Sequence, residues 1–323
     1  MTVLDQPVWH PRTEPAPLLP DAEPYRVLGT PQARTLEPAL LTELYGRLVR
    51  GRRYNRQATA LTKQGRLAVY PSSTGQEACQ IAAALALRPQ DWLFPSYRDT
   101  LAVVARGVDP VQVLTLLRGD WHSGYDSRAC HVAPLSTPLA TQLPHAVGLA
   151  HAARLQGDDV VALAMVGDGG TSEGDFHEAL NFAAVFHLPV IFFVQNNKYA
   201  ISVPLAHQSV APSLAHKAVG YGMAGERVDG NDVVALLAVL DRAVALARSG
   251  SGPLLVEANT YRMQAHTNAD DATRYRQDSE VAEWLAKDPL SRMKTYLTDR
   301  GLLDDDGATR IAAHAEDVAT QLR

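Results

Sequence analysis

The stretch from Val160 to Tyr199, VVALAMVGDGGTSEGDFHEALNFAAVFHLPVIFFVQNNKY, decides the fold class. It opens on Val160-Val161-Ala162-Leu163-Ala164-Met165-Val166, an apolar run without alternation, the pattern of a strand buried on both faces. A turn rich in glycine follows, and then a helical segment from about Ser172 to His187. Pro189-Val190-Ile191-Phe192-Phe193-Val194 is a second buried strand. Strand, helix and strand at this spacing predict a right-handed βαβ unit with parallel strands.

Toward the C-terminus, Val233, Leu236, Leu237, Leu240 and Val244 repeat at helical spacing across 231–248. Residues 253–258 read as a third short strand, and 278–323 as helical and charged. Toward the N-terminus, Leu36, Leu40, Leu41, Leu44 and Leu48 predict a helix over 36–62, and the Ala-rich segment 75–87 a second one. A third helix is expected over 110–118, after Asp109-Pro110. Residues 1–35 carry Pro7, Pro11, Pro15, Pro17, Pro20, Pro24 and Pro31. Proline fixes φ and removes a backbone donor, so this segment reads as an extended arm, either a disordered tail or a wrap around a partner subunit. The expected organisation is that arm followed by one α/β domain over 36–323, a parallel sheet flanked by helices.

Composition excludes several classes. The chain has 323 residues, 46% of them hydrophobic and 20% charged, with a net charge of −5 and no marked Lys/Arg cluster. Nucleic acid and acidic membrane surfaces are therefore not expected partners. Two cysteines, Cys79 and Cys130, make neither a disulfide framework nor a zinc site. No basic start followed by an apolar run marks a secretory signal, and no apolar stretch reaches the ~18 residues of a membrane span. The expected location is cytoplasmic.

In parallel α/β sheets, ligands bind at the carboxyl ends of the strands. The first strand ends in Gly167-Asp168-Gly169-Gly170, the second in Gln195-Asn196-Asn197-Lys198-Tyr199. If the two strands are neighbours, Asp168 and Asn197 share a crevice and offer hard oxygen ligands of the kind Mg²⁺ or Ca²⁺ takes. Glycines there allow a diphosphate close to the backbone, and the start of the following helix favours an anion. A nucleotide P-loop would need a terminal Gly-Lys-Ser/Thr, and a dinucleotide fingerprint a glycine where Ser172 stands. Taken singly, Asp168 reads as a helix cap and the Asn pair as a turn. Together, at successive strand ends, they point to a metal–diphosphate site.

Gly167-Asp168-Gly169 followed on the next strand by Asn196-Asn197 resembles the thiamine diphosphate signature. The wider text is similar to the α subunit of the 2-oxo acid dehydrogenase first component. The matching stretches are GRLAVYPSSTGQEACQIA (65–82), FPSYRD (94–99), STPLATQLPHAVG (136–148), GDGGTSEGDFHEALNFAAVF (167–186), QNNKYAISVP (195–204), RVDGNDV (227–233) and YRMQAHTNADDATRYR (261–276). The resemblance implies the diphosphate-binding half of a thiamine diphosphate-binding fold. It implies Mg²⁺ held by Asp168, Asn197 and the Tyr199 carbonyl, with Gly169 and Gly170 along the diphosphate. Tyr97 and Arg98 match a diphosphate-contacting pair, and Arg suits phosphate through its bidentate fork. Thr137 and Leu139 fall on the cofactor side. His266 matches the histidine of a loop over the diphosphate, the implied catalytic residue, acting by phosphate contact, proton transfer or both. Tyr275 and Arg276 match a pair that orders that loop. Ser136, Pro138, Thr141 and Gln142 match a segment that binds K⁺ in branched-chain relatives.

Two departures stand out. Mammalian branched-chain relatives carry Arg where this chain has Gln195. The serines phosphorylated in those relatives are here Thr267 and Gln277, so control by that route is not expected. The resemblance further implies oxidative decarboxylation of a small 2-oxo acid and transfer of the acyl group to the lipoyl arm of an acyltransferase component. The cofactor supplies the carbon chemistry. The aminopyrimidine carboxylate would come from a separate β subunit, since 323 residues leave little room for a second α/β domain, and an α₂β₂ heterotetramer is expected. STPLATQLPHAVG leans to branched-chain 2-oxo acids of the 3-methyl-2-oxobutanoate type, whereas QGRLAVY and TGQEACQIA also occur in pyruvate enzymes. A non-catalytic subunit kept for assembly is the competing class, and the complete ligand set speaks against it.

Overall fold

Alternate residues of the central strands feed two separate cores. Ala162, Ala164, Val166, Val190, Phe192 and Val194 pack into one core, and Leu163, Met165, Ile191 and Phe193 into the other. This is why the strands read as unbroken apolar runs. The computed structural model describes residues 18–323, so Pro7, Pro11, Pro15 and Pro17 of the expected arm lie outside the described residues.

The strands are β1 (Trp92–Phe94), β2 (Ala162–Gly167), β3 (Val190–Asn196), β4 (Tyr199–Ala200), β5 (Val203–Pro204), β6 (Ala224–Asp229) and β7 (Leu254–Asn259). Five form one parallel sheet in the order β1-β2-β3-β7-β6, while β4 and β5 make a small antiparallel hairpin. The expected neighbours β2 and β3 pair directly, with Gly167 opposite Gln195. The α/β class and the parallel sheet flanked by helices are borne out.

The helices are α1 (Pro38–Lys63), α2 (Glu77–Leu85), α3 (Thr100–Ala105), α4 (Pro110–Val113), α5 (Thr115–Arg118), α6 (Ser127–Cys130), α7 (Gln142–Gln156), α8 (Gly174–Val185), α9 (Val233–Arg248), α10 (Asp278–Leu285), α11 (Pro289–Asp299) and α12 (Asp305–Gln321). The segment expected as one helix over 110–118 is two short turns. The Asp109 carboxylate caps the first by accepting from the amides of Val111 and Gln112. The helix expected from Ser172 begins only at Gly174, because Gly169–Ser172 forms a separate 3₁₀ turn.

Strands β1 and β6 were not foreseen. β1 has only three residues. β6, AGERVD, lies at the sheet edge and lacks an apolar run. Its outer side is covered by the described part of the N-terminal segment. The Tyr25 amide donates to the Arg227 carbonyl at 2.9 Å, and the Asp229 amide donates to the Tyr25 carbonyl at 3.0 Å. Leu18, Val27 and Ala33 are buried, so residues from 18 onward dock on their own domain. Covering an edge strand in this way removes a template for unwanted pairing.

The chain leaves β1 toward α3, whose Leu101, Ala102 and Val103 join the core of α1, α2 and α9. It leaves β2 toward α8, whose Phe176, Ala179, Leu180 and Ala183 join the opposite core. Neighbouring strands whose connections part to opposite faces open a crevice at their carboxyl ends. No helix among the described residues is long and apolar enough to cross a membrane.

Candidate active site

That crevice is a cleft of about 480 Å³. Tyr97, Arg98, Ser136, Thr137, Pro138, Leu139, Gln142, Asp168, Gly169, Gly170, Asn197, Tyr199 and His266 all line it. Thr141, Tyr275 and Arg276 are absent from its wall; the Thr141 hydroxyl donates to Asp175 Oδ2 at 3.3 Å.

Asp168 and Asn197 stand at the ends of paired strands and are both buried. Burial pushes the Asp168 carboxyl above its ordinary range, and hydrogen bonds from Gln208 and the backbone draw it back. One terminal atom of the Asn197 carboxamide lies 3.1 Å from the Tyr199 carbonyl oxygen and 3.2 Å from Asp168 Oδ1. The amide has two orientations. With nitrogen inward it donates to both oxygens. With oxygen inward it accepts from the Tyr199 amide at 3.3 Å, and its nitrogen donates to Gln76 Oε1 at 3.2 Å. Three oxygens then face one another with no hydrogen between them, an arrangement that a bound cation would satisfy. An octahedral hard divalent ion at about 2.1 Å sets adjacent ligand oxygens about 3 Å apart, which matches this spacing. The donor set therefore fits such an ion, with Asp168 as its one carboxylate.

The backbone bends sharply here. Lys198 and Ile201 adopt φ values of 76° and 54°, in the left-handed region that costs a side-chain-bearing residue energy. Lys198 Nζ is held by Asn259 Oδ1 at 2.7 Å. The glycines of the turn answer to packing within the protein. A Cβ at Gly169 would stand 2.6 Å from the Ala200 Cβ, and one at Gly170 2.4 Å from Val166 Cγ2.

Arg98 is buried and does not pair with Asp99. One of its terminal nitrogens, Nη1, donates to the carbonyls of Ser72 at 2.9 Å and His266 at 3.1 Å. The other, Nη2, lies 3.0 Å from His266 Nδ1, and Arg262 Nη1 lies 3.4 Å from the same atom. Both guanidinium groups can only donate, so Nδ1 accepts and the ring proton sits on Nε2. Burial, reinforced by the two arginines, holds the His266 imidazole down to about 4. The ring is thus neutral near pH 7 and offers an N–H. The Tyr97 ring lies edge-on to it at 5.9 Å.

Gln195 takes part in a buried amide relay. Its Nε2 donates to Asp99 Oδ1 at 2.6 Å, and its Oε1 accepts from Gln76 Nε2 at 3.1 Å. Gln76, Gln208 and Arg262 were not singled out from the sequence. Arg262 is fully buried and donates to the carbonyls of Tyr199 at 3.3 Å and Ile201 at 2.7 Å, and to the Tyr275 hydroxyl at 2.8 Å. It joins the Asn197–Ile201 turn to the His266 loop. The signal available was an arginine next to a buried strand end, inside a stretch already noted. Asp270 Oδ2 accepts from the His266 amide at 2.7 Å and from the Tyr275 hydroxyl at 2.5 Å, and Arg276 donates to the carbonyls of Arg262 and Met263. The loop is latched at both ends.

A family model described as the dehydrogenase E1 component matches residues 46–320. The chain belongs to the dehydrogenase E1 component family. Among E1 relatives, it is 49% identical over 311 residues to the 3-methyl-2-oxobutanoate dehydrogenase subunit alpha of Mycobacterium tuberculosis, covering 94% of this chain and 85% of that protein. It is 38% identical over 277 residues to the pyruvate dehydrogenase E1 component subunit alpha of Staphylococcus aureus, covering 85% of this chain and 75% of that protein. The E1 dehydrogenases are thiamine diphosphate-dependent 2-oxo acid dehydrogenases, and this chain is of their α-subunit type.

Proposed function

We propose that this chain anchors thiamine diphosphate through Mg²⁺ in an α₂β₂ branched-chain 2-oxo acid dehydrogenase. The observation that carries the reading is the convergence of the Asp168, Asn197 and Tyr199 oxygens in one cleft with Arg98 and His266. The three oxygens would hold Mg²⁺. Arg98 and the Nε2–H of His266 would hold the diphosphate, with Tyr97, Thr137, Leu139, Gly169 and Gly170 lining its bed. When bound, the cofactor supplies the electron sink for decarboxylation. His266, neutral and fixed in one tautomer, gives a hydrogen bond at Nε2 to a phosphate or to the arriving lipoyl group of the acyltransferase component.

A substrate of the 3-methyl-2-oxobutanoate type is favoured by the apolar wall of Val69, Pro71, Leu117 and Leu139 in the same cleft. The 49% identity to the mycobacterial relative leans the same way. Pyruvate is the second reading, supported by the staphylococcal relative. A β-chain partner is supported by Leu139 and Ile201, which line the cleft yet are 45% and 55% exposed. A K⁺ ion at Ser136, Pro138, Thr141 and Gln142 is supported by Gln142 Oε1, a buried oxygen with no hydrogen-bond donor, while Ser136 Oγ donates to the Pro138 carbonyl at 2.9 Å. The free thiols of Cys79 and Cys130 suit a cytoplasmic, reducing setting.

Co-expression with the β chain tests the proposal. Decarboxylation of 3-methyl-2-oxobutanoate should exceed that of pyruvate in kcat/KM, and removing K⁺ should lower the thermal midpoint. Calorimetry should show Asp168→Ala losing more Mg²⁺–cofactor affinity than the about 10–100-fold typical of an outer-shell partner. Unchanged affinity would remove the metal site, and faster turnover of pyruvate would reverse the substrate assignment.

A further inference from the structure

Asp168 has two carboxylate oxygens, and only Oδ1 faces the Asn197 and Tyr199 oxygens. The other, Oδ2, accepts from Gln208 Nε2 at 2.9 Å. The same Nε2 donates to the Val203 carbonyl at 2.9 Å. Gln208 reaches this point because the chain doubles back. Lys198 and Ile201 take left-handed conformations, the Leu205 amide donates to the Lys198 carbonyl at 2.9 Å, and the Gln208 amide donates to the Leu205 carbonyl at 2.9 Å. Two strained residues and a hairpin thus deliver one amide to the back of the carboxylate. The Gln208 carbonyl oxygen, Oε1, is buried without a partner and lies 4.0 Å from where a Cβ on Gly169 would stand.

We propose that Gln208 is the positioning residue of the cation site: it fixes Asp168 through Oδ2 and turns Oδ1 toward the metal. This rests on the cation reading given above. A carboxylate that ligates a metal rotates freely about its Cβ–Cγ bond unless its second oxygen is held, and such outer partners set affinity by reducing the ordering left to be done on binding. The competing role is a staple for the hairpin, made through the Val203 carbonyl alone.

The test uses the chain assembled with its β partner, with thiamine diphosphate present and no substrate. Mn²⁺ is the probe, and free Mn²⁺ is read by electron paramagnetic resonance. Gln208→Met keeps the length but loses the donor and should raise the Mn²⁺ Kd about 10–100-fold. Gln208→Asn keeps the donor on a shorter arm and should fall between it and the parent. Thermal midpoints without metal accompany each titration. A Kd that follows the midpoint across the three proteins, or one that does not move, overturns the proposal in favour of the staple. Asp168→Asn separates the two levels of the argument. If it weakens Mn²⁺ and Gln208→Met does not, only the role of Gln208 fails. If neither changes the Kd, the cation site itself fails.

Discussion

Two cations aimed at one imidazole nitrogen determine how His266 behaves. Arg98 and Arg262 approach Nδ1 at 3.0 and 3.4 Å, so protonating that atom would set three positive groups together. Burial first, and then these two cations, hold the folded ring down to about 4 against an ordinary 6.5. In the unfolded chain the ring takes up its proton as pH falls through 6.5, while the folded ring stays neutral until about 4. The unfolded state thus binds more protons over that window, and stability falls as the solution is acidified. In the cofactor-free protein, the thermal midpoint should drop less between pH 7 and pH 5 for His266→Gln than for the parent. Parallel curves would show that His266 does not carry the shift. The histidine was legible as part of a motif. Its tautomer was not, because that depends on Arg98 and Arg262 arriving from different strand ends.

At the scale of elements, one carboxylate joins two parts of the chain far apart in sequence. Asp232 Oδ1 caps α9 by accepting from the amides of Val234 at 3.1 Å and Ala235 at 3.0 Å. Its Oδ2 accepts from the amides of Val27 at 2.8 Å and Leu28 at 2.7 Å, pinning the N-terminal segment beside β6. Losing a cap costs about 0.5–2 kcal/mol, and each buried amide left without an acceptor adds about 1–3 kcal/mol. Asp232→Ala should therefore destabilise the protein by about 3 kcal/mol or more in chemical denaturation. Asp232→Asn, which keeps one acceptor, should lose less. Equal losses would show that Oδ2 does not hold the segment. Helix α9 was plain from its apolar spacing. The edge strand it follows was not, since AGERVD has no periodic apolar face and becomes a strand only by pairing with β7. The two turns after Asp109 read as one helix for the opposite reason: their apolar spacing continues across a break that only backbone geometry reveals.

For the whole molecule, the cleft is finished on one side only. Its polar end is closed by Asp168, Asn197, Arg98 and the latched loop, while Leu139 and Ile201 stay open to solvent beside it. That exposed apolar rim is the face proposed above for the β chain. Ile201→Asp should reduce co-purification of the β chain while leaving the thermal midpoint of the isolated chain nearly unchanged; undiminished assembly would place the partner elsewhere. By itself the sequence determined the class of fold, through apolar runs that only a doubly covered parallel sheet can bury. Residue types at successive strand ends pointed to a metal–diphosphate site, and the resemblance of the wider text narrowed the diphosphate to that of thiamine. Only the tertiary structure decided how those ligands work. Nothing local marks Gln76, Gln208 or Arg262 for a role in the site, and they matter because packing sets them against Asn197, Asp168 and His266. Periodicity reports which side of an element is buried. Which polar atoms meet there depends on the crossing of elements distant along the chain, and no single stretch of sequence carries that information.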